Sequence, residues 1–250
     1  MKWTPIFFLI IFFLSCKTES PKTNGVNSSS EQAIPTIDYH YEIRQPKVSI
    51  DQPPLLILMH GYGSNEKDLF AWADYLDERL LIVCPRGPKD MGNGRYSWFE
   101  LLPSELGLRY KSEEVIQTAN DIATFAYQIS EKYNVNKDKI FLGGFSQGAI
   151  LSLGTGVMFE DKFAGIICLS GSFYREFGSL LNQRKNPSAL NVFLSHGRND
   201  TVLPFKEVED YVKFIRDKGG TVEAKYYDSA HAVSAQNLKD MIAWLKRQIG

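Results

Sequence analysis

Only three of the 250 residues are cysteine (Cys16, Cys84 and Cys168), too few for a disulfide-stapled scaffold. Neither sign of charge dominates. Twenty-eight basic residues face 29 acidic ones, for a formal net charge of −1 with both signs dispersed. Without a basic stripe or a recognisable nucleic-acid module, the composition argues against nucleic acid as a partner. The apolar run from Ile6 to Leu14 is well short of the ~20 residues that a membrane-spanning helix needs. No repeat period is visible, and no set of His, Cys and Asp has ligand spacing, so neither a catalytic metal nor another cofactor is expected. Gly92-Asn93-Gly94 lacks the strand before and helix after that a phosphate loop requires, and reads as a surface turn.

What the amino terminus does carry is Lys2, the short greasy run, and Ser15-Cys16 at its break. This pattern describes a secretory signal peptide over residues 1–16. The cysteine at the break suggests the lipoprotein variant, with Cys16 lipidated and the protein exported and anchored to a membrane. Cleavage and release as a soluble exported protein is the alternative. Residues 17–35 are polar, rich in Ser, Thr, Asn and Lys over Lys17 to Ser30, and cannot bury a core. As a tether they would span roughly 20–25 Å. Residues 36–250 are enough for one domain with a large core.

Within that domain, strand-like runs alternate with helix-period segments. The strand-like runs are Ile37–Ile43, Leu55–Met59, Leu80–Val83, Lys139–Leu142, Ala164–Leu169, Val192–Leu194 and Thr221–Tyr227. Helical spacing covers Glu66–Leu76, Ser112–Tyr133, Gln147–Met158, Pro204–Lys218 and Ala235–Ile249. In the second of these, Val115, Ile116, Ala119, Ile122, Ala123, Ala126 and Ile129 form a broad apolar stripe. Such alternation predicts an α/β fold with a mainly parallel sheet covered by helices on both faces. The alternating run from Ile37 suits an antiparallel edge.

Between the Lys139–Leu142 strand and the Gln147 helix lies Gly-Gly-Phe-Ser-Gln-Gly, residues 143 to 148. In that setting G-x-S-x-G reads as a nucleophile elbow, a sharp turn with Ser146 at its apex. Side chains two residues either side would collide where strand and helix cross, and Gly144 and Gly148 carry none. The helix that begins after the serine points its positive end at the reacting centre.

A serine hydroxyl needs an imidazole to take its proton and an acid to orient that imidazole. On an elbow of this kind the chain order is serine, acid, histidine. Of four histidines only His196 and His231 follow Ser146, and only His231 leaves room for a preceding acid at a strand end. Asp200, just past the Val192–Leu194 strand, is the acid candidate, with Asp228 as its rival. His60 and His196 each precede a glycine at a strand terminus and read as structural. The loop His60-Gly61-Tyr62-Gly63-Ser64-Asn65 after the Leu55–Met59 strand can turn its amides toward the serine. With the residue after Ser146, it makes the backbone N–H groups of Tyr62 and Gln147 the expected oxyanion donors.

The segments HGYGSNEKDLF (60–70), GGFSQGA (143–149) and SHGRNDTVLP (195–204), with the late His231, resemble the phospholipase/carboxylesterase family of α/β-hydrolases, which includes acyl-protein thioesterases and small bacterial carboxylesterases. The likeness runs from about residue 36 to the end. It implies an α/β-hydrolase fold with Ser146 as nucleophile, Asp200 as acid, His231 as base, and Tyr62 and Gln147 as oxyanion donors. This chain departs from the thioesterase pattern at HGYGSNEKD, where that family has HGxGD, and at Ser-Ala before His231. In the implied strand order two strands separate Cys84 from Cys168. Three steps of about 4.8 Å make ~14 Å, beyond the ~7 Å limit for a disulfide, so both are expected to be free, buried thiols.

The interval Gly171–Leu190 is too short for a large lid. Gly87–Leu108 is the other long connection and is rich in aromatics. Its Trp98 and Phe99 are candidates to wall an acyl pocket, with Phe173 opposite; packing onto the domain as structure is the competing account. The motif set and the resemblance together imply a cofactor-free carboxylesterase. Lysophospholipase, acyl thioesterase and polysaccharide acyl esterase activities remain open, with small-molecule, lipid or polysaccharide esters as substrates. A binding module on an inactive hydrolase scaffold is the reading of a different class.

Overall fold

The computed structural model describes residues 36–104, 107–159, 161–183 and 190–250. Residues 1–35, on which the expected signal peptide, Cys16 and the polar tether fall, lie outside the described residues. Chain order begins with β1 (Tyr41–Arg44), β2 (Leu55–Met59), α1 (Lys67–Phe70), a 3₁₀ turn (Ala73–Tyr75) and β3 (Leu81–Pro85). Two small hairpins follow, β4 (Lys89–Asp90) with β5 (Tyr96–Ser97), then β6 (Leu102–Ser104) with β7 (Gly107–Arg109). The rest is α2 (Ser112–Lys132), β8 (Ile140–Phe145), α3 (Gln147–Met158), β9 (Gly165–Leu169), α4 (Arg175–Leu181), β10 (Asn191–Gly197), α5 (Lys206–Asp217), β11 (Thr221–Tyr227) and α6 (Ala235–Ile249).

Seven strands form one sheet in the order β1-β3-β2-β8-β9-β10-β11. All pairs are parallel except β1 with β3, where Tyr41 faces Pro85 and Arg44 faces Ile82. Strand residues alternate between two cores because successive side chains leave a strand on opposite faces. Leu55, Ile57 and Met59 join Leu142, Leu194 and the inner faces of α2, α3, α4 and α5. Leu56, Leu58 and Ile82 join Phe193 and the residues of α1 and α6, including Leu69, Met241 and Trp244. Both faces are thus covered, which is why β2, β3 and β9 are apolar along their whole length. Among the described residues no helix is long and apolar enough to cross a membrane.

Two elements differ from the expected ones. The Glu66–Leu76 helix is broken: α1 covers four residues, and the chain continues through tighter bonds, Trp72 N–H to Leu69 O at 3.1 Å and Tyr75 N–H to Trp72 O at 2.9 Å. Leu69, Ala73 and Leu76 still face the core. Periodicity therefore identified the buried face, but it does not distinguish i→i+4 from i→i+3 bonding. The edge strand is also shorter than its run, since only residues from Tyr41 pair with β3.

The aromatic connection after β3 is folded rather than loose. Gly92-Asn93-Gly94 turns the β4–β5 hairpin, with Asn93 at φ 55°. Gln147, the first residue of α3, fastens this region to the elbow. Its Oε1 accepts from the Trp98 N–H at 2.8 Å, and its Nε2 donates to the Phe99 carbonyl at 2.9 Å, both within the core. Trp98 and Phe99 have no accessible surface (0% each). The expectation that they wall an acyl pocket is corrected by this packing: they are core residues, with Trp98 Nε1 donating to the His60 carbonyl at 2.9 Å.

Cys84 and Cys168 are both free and buried. Besides the two intervening strands, they lie on opposite faces of the sheet, Cys168 in the first core and Cys84 in the second. Burial raises both thiols, that of Cys168 to about 12. In a Cys16→Ser background, native protein is expected to leave an aromatic disulfide reagent unconsumed over minutes and to consume two equivalents on denaturation. Reaction of either thiol in the folded state contradicts this burial. Gln147→Leu strands a buried N–H and a buried carbonyl, each costing about 1–3 kcal/mol. The expected result by calorimetry is a Tm lower by about 5 °C or more, and an unchanged Tm contradicts the fastening role.

Candidate active site

Ser146 sits between β8 and α3 at φ 54° and ψ −115°, a backbone conformation costly for a side-chain-bearing residue. The surroundings enforce it. A Cβ on Gly148 would lie 2.1 Å from the Met59 carbonyl oxygen, and one on Gly144 would lie 2.4 Å from the Gly148 carbonyl carbon. Only glycine permits β8, α3 and the end of β2 to cross this closely. Ser146 N–H donates to Leu169 O at 2.9 Å, which ties the turn to β9.

The acid and the base arrive on neighbouring strands. Asp200 follows β10 and His231 follows β11, and the two loops are stitched by backbone bonds. Arg198 N–H donates to Tyr227 O at 2.8 Å, and Asn199 N–H to Ser229 O at 3.0 Å. Gly197 allows this approach, since a Cβ there would lie 2.3 Å from Ser229 O and 2.5 Å from Ala230 O. The result is a continuous polar line. His231 Nδ1 lies 2.6 Å from Asp200 Oδ2, and His231 Nε2 lies 2.9 Å from Ser146 Oγ. A carboxylate only accepts, so the Nδ1 proton belongs to His231, leaving Nε2 to accept from the serine hydroxyl. Asp200 Oδ1 accepts from Val202 N–H (2.8 Å) and Leu203 N–H (2.9 Å). The carboxylate is closed off from solvent, while the His231 side chain retains 15% exposure. The Phe145 ring packs at 4.9 Å against the imidazole. No described hydrogen bond joins Asp228 to His231.

The 60–65 loop passes beside this line. A Cβ on Gly61 would lie 3.5 Å from Ser146 Cβ. Gly63 N–H donates to Tyr96 O (2.9 Å) and Tyr96 N–H to Ser64 O (2.8 Å), so the loop is clamped to the β5 strand. His60 anchors its start: Nε2 accepts from the Gly87 N–H at 2.9 Å, which leaves the ring proton on Nδ1 to donate to Gly61 O at 2.7 Å. Burial lowers the pKa of this ring and keeps it neutral. The Tyr62 N–H has no acceptor among the described residues. Gln147 N–H is in the first turn of α3, where amides lack helical acceptors. Neither amide is engaged by a described backbone acceptor.

Phe173 is half-buried and lines a cleft of about 440 Å³ between α4 and α5, with Tyr211 and Phe214; Ser146 is not among its lining residues. In the Gly171–Leu190 interval the described part holds one short helix, α4. One set of potential metal ligands, His40, Glu42 and Glu66, occurs among the described residues. Glu66 is already held by Arg86 through contacts of 2.7 and 2.6 Å, which bring its pKa down to about 2. The Glu66–Arg86 ion pair joins the start of α1 to the end of β3.

Two contacts around the site carry no signal in the sequence. The Gln147 side-chain clamp was hidden because the pentapeptide pattern specifies the serine and its glycines and leaves this position free. The other is His196, whose ring reaches the Asp200 turn; a histidine before a glycine at a strand end carries no signal of that contact.

Similarity to known proteins agrees with this geometry. The sequence pattern of the phospholipase/carboxylesterase family matches residues 38–249. Acyl-protein thioesterase 1 of Candida albicans is 27% identical over 230 residues, spanning 82% of this chain and 96% of that protein. The carboxylesterase SOBER1 of Arabidopsis thaliana is 27% identical over 181 residues, 68% of this chain and 76% of that one. Among solved structures, the Bacillus cereus carboxylesterase superposes with a TM-score of 0.71 at 20% identity, covering 84% of this chain and 94% of its own. This last likeness speaks to the fold alone, an α/β-hydrolase. By the pattern matched across nearly its entire described length, the chain belongs to the phospholipase/carboxylesterase family.

Proposed function

We propose that the protein is a serine hydrolase that cleaves carboxylic esters through an acyl-enzyme on Ser146. The observation that carries this reading is the unbroken line from Asp200 Oδ2 through both nitrogens of His231 to Ser146 Oγ, at 2.6 and 2.9 Å. As Oγ attacks the ester carbonyl, Nε2 of His231 takes the hydroxyl proton, and Asp200 stabilises the resulting imidazolium. The carbonyl oxygen becomes an oxyanion that accepts from the Tyr62 and Gln147 amides at the positive end of α3. Collapse of the tetrahedral species breaks the bond to the alcohol, which leaves with the proton from Nε2. Water, deprotonated by the same nitrogen, then attacks the acyl carbon and frees the acid and Ser146. No cofactor enters any step.

Relatives named both as thioesterases and as carboxylesterases support hydrolysis at an acyl carbon without selecting the leaving atom. A carboxylesterase is the leading reading because the 60–68 segment departs from the thioesterase pattern. Rates across esters of increasing acyl length, an acyl thioester, a lysolipid and an acetylated sugar distinguish the subclasses. We further propose export with a lipid anchor at Cys16, supported by Lys2, the run Ile6–Leu14 and the cysteine that follows it.

Ser146→Ala is expected to abolish p-nitrophenyl ester hydrolysis with little change in Tm; residual turnover at the wild-type rate would mean a different nucleophile. Asp200→Asn should cut kcat by about 10³–10⁴-fold, whereas Asp228→Asn should leave it near wild type. The reverse ranking overturns the acid assignment. In a lipoprotein-processing host, Cys16→Ser should move the protein from the membrane to the soluble fraction, and unchanged fractionation contradicts the anchor.

A further inference from the structure

His196 is the fully buried penultimate residue of β10, four positions before Asp200, and the ester-hydrolysis scheme above gives it no role. Its Nε2 lies 2.8 Å from the Leu203 carbonyl and 3.2 Å from Asp200 Oδ2. Both neighbours are acceptors, so Nε2 must carry a proton. That N–H is directed at Leu203 O, with the carboxylate oxygen beside it. Nδ1 is buried with no partner. A second proton there would be an unpaired buried donor on a charged ring, and burial lowers the ring's pKa accordingly. The ring is a neutral donor of fixed tautomer.

Leu203 is held at both ends. Its carbonyl accepts from His196, and its own N–H donates to Asp200 Oδ1 at 2.9 Å, next to the Val202 N–H at 2.8 Å. The 200–203 turn thus closes around the carboxylate, and the far end of that turn is fastened to the ring of His196. Asp200 Oδ1 is gripped by the turn, while Oδ2 faces His231.

We propose that His196 is a positioning residue for the reaction: by fastening the Leu203 carbonyl it fixes the turn whose amides aim the Asp200 carboxylate at His231. This inference rests on the triad reading above, but a separate measurement tests each. The ionisable groups facing His196 are Asp200 and His231, with Tyr226 and Arg198 beyond the Phe205 ring. All are common to the variants below, so differences among those variants report on the ring alone.

His196→Met removes the donor at similar volume, and His196→Gln places an amide N–H near the position of Nε2. For p-nitrophenyl acetate, the Met variant is expected to lose about tenfold or more in kcat with KM within about twofold of wild type. The Gln variant should recover most of the loss. A folded Met variant with wild-type kcat, or a Gln variant as impaired as Met, overturns the proposal. A fall in Tm alone, with kcat intact, would mark a merely structural ring. Should the Met variant not fold, ¹⁵N NMR of the wild-type histidines decides the matter. His196 is expected as the neutral Nε2–H tautomer throughout the range from acid to alkaline pH in which the protein stays folded, and an Nδ1–H tautomer or an ordinary histidine titration overturns it. If a fluorophosphonate leaves no adduct on Ser146 of the folded wild type, the triad reading fails instead.

Discussion

Where β8 and α3 cross the end of β2, the backbones meet so closely that a methyl group on Gly148 would lie 2.1 Å from the Met59 carbonyl oxygen. That crossing holds Ser146 in its strained conformation, φ 54° and ψ −115°, because relaxing the serine would pull the strand and helix apart. The cost is borne by buried β-strand pairing on both sides of β8 and by the two apolar cores. In return, the hydroxyl stands clear of the sheet edge at the start of a helix, and the loop after β2 passes next to it.

The acid and base depend on a second close approach. Gly197 lets the end of β10 lie against the carbonyls of Ser229 and Ala230, and two backbone bonds lock the loops together. Asp200 and His231 are 31 residues apart in sequence, yet their separation is set by the spacing of the adjacent strands β10 and β11. Ser146 stands two strands away, on the turn after β8, so the imidazole bridges the gap across the end of β9. The side-chain clamp of Gln147 and the anchoring of His60 serve the same end on the other flank: they keep the aromatic hairpin region and the 60–65 loop in fixed relation to the elbow.

Much of this was legible in the sequence because the relevant constraints are local. Gly144 and Gly148 flank a serine between a strand and a helix, and only a tight crossing requires that pattern. The run Leu55–Met59 is apolar throughout because its strand is covered on both faces, α3 is marked at its start by the elbow, and α6 by its apolar periodicity. What escaped was decided by contacts between distant segments. Trp98 and Phe99 carry the composition of a pocket wall, but hydrogen bonds from Gln147, nearly fifty residues away, draw their backbone into the core. The break after Phe70 lies in the switch from i→i+4 to i→i+3 hydrogen bonding, to which apolar spacing is blind. His196 differs from an idle core histidine only through the turn that begins four residues later.

Ester hydrolysis at this site requires Ser146 to be the group that forms the covalent bond. Treatment of folded protein with a fluorophosphonate, followed by peptide mass mapping, measures this directly. One adduct per chain on the peptide bearing Ser146, absent after heat denaturation, is the predicted result. No adduct on folded protein, or an adduct at another serine, would contradict the account.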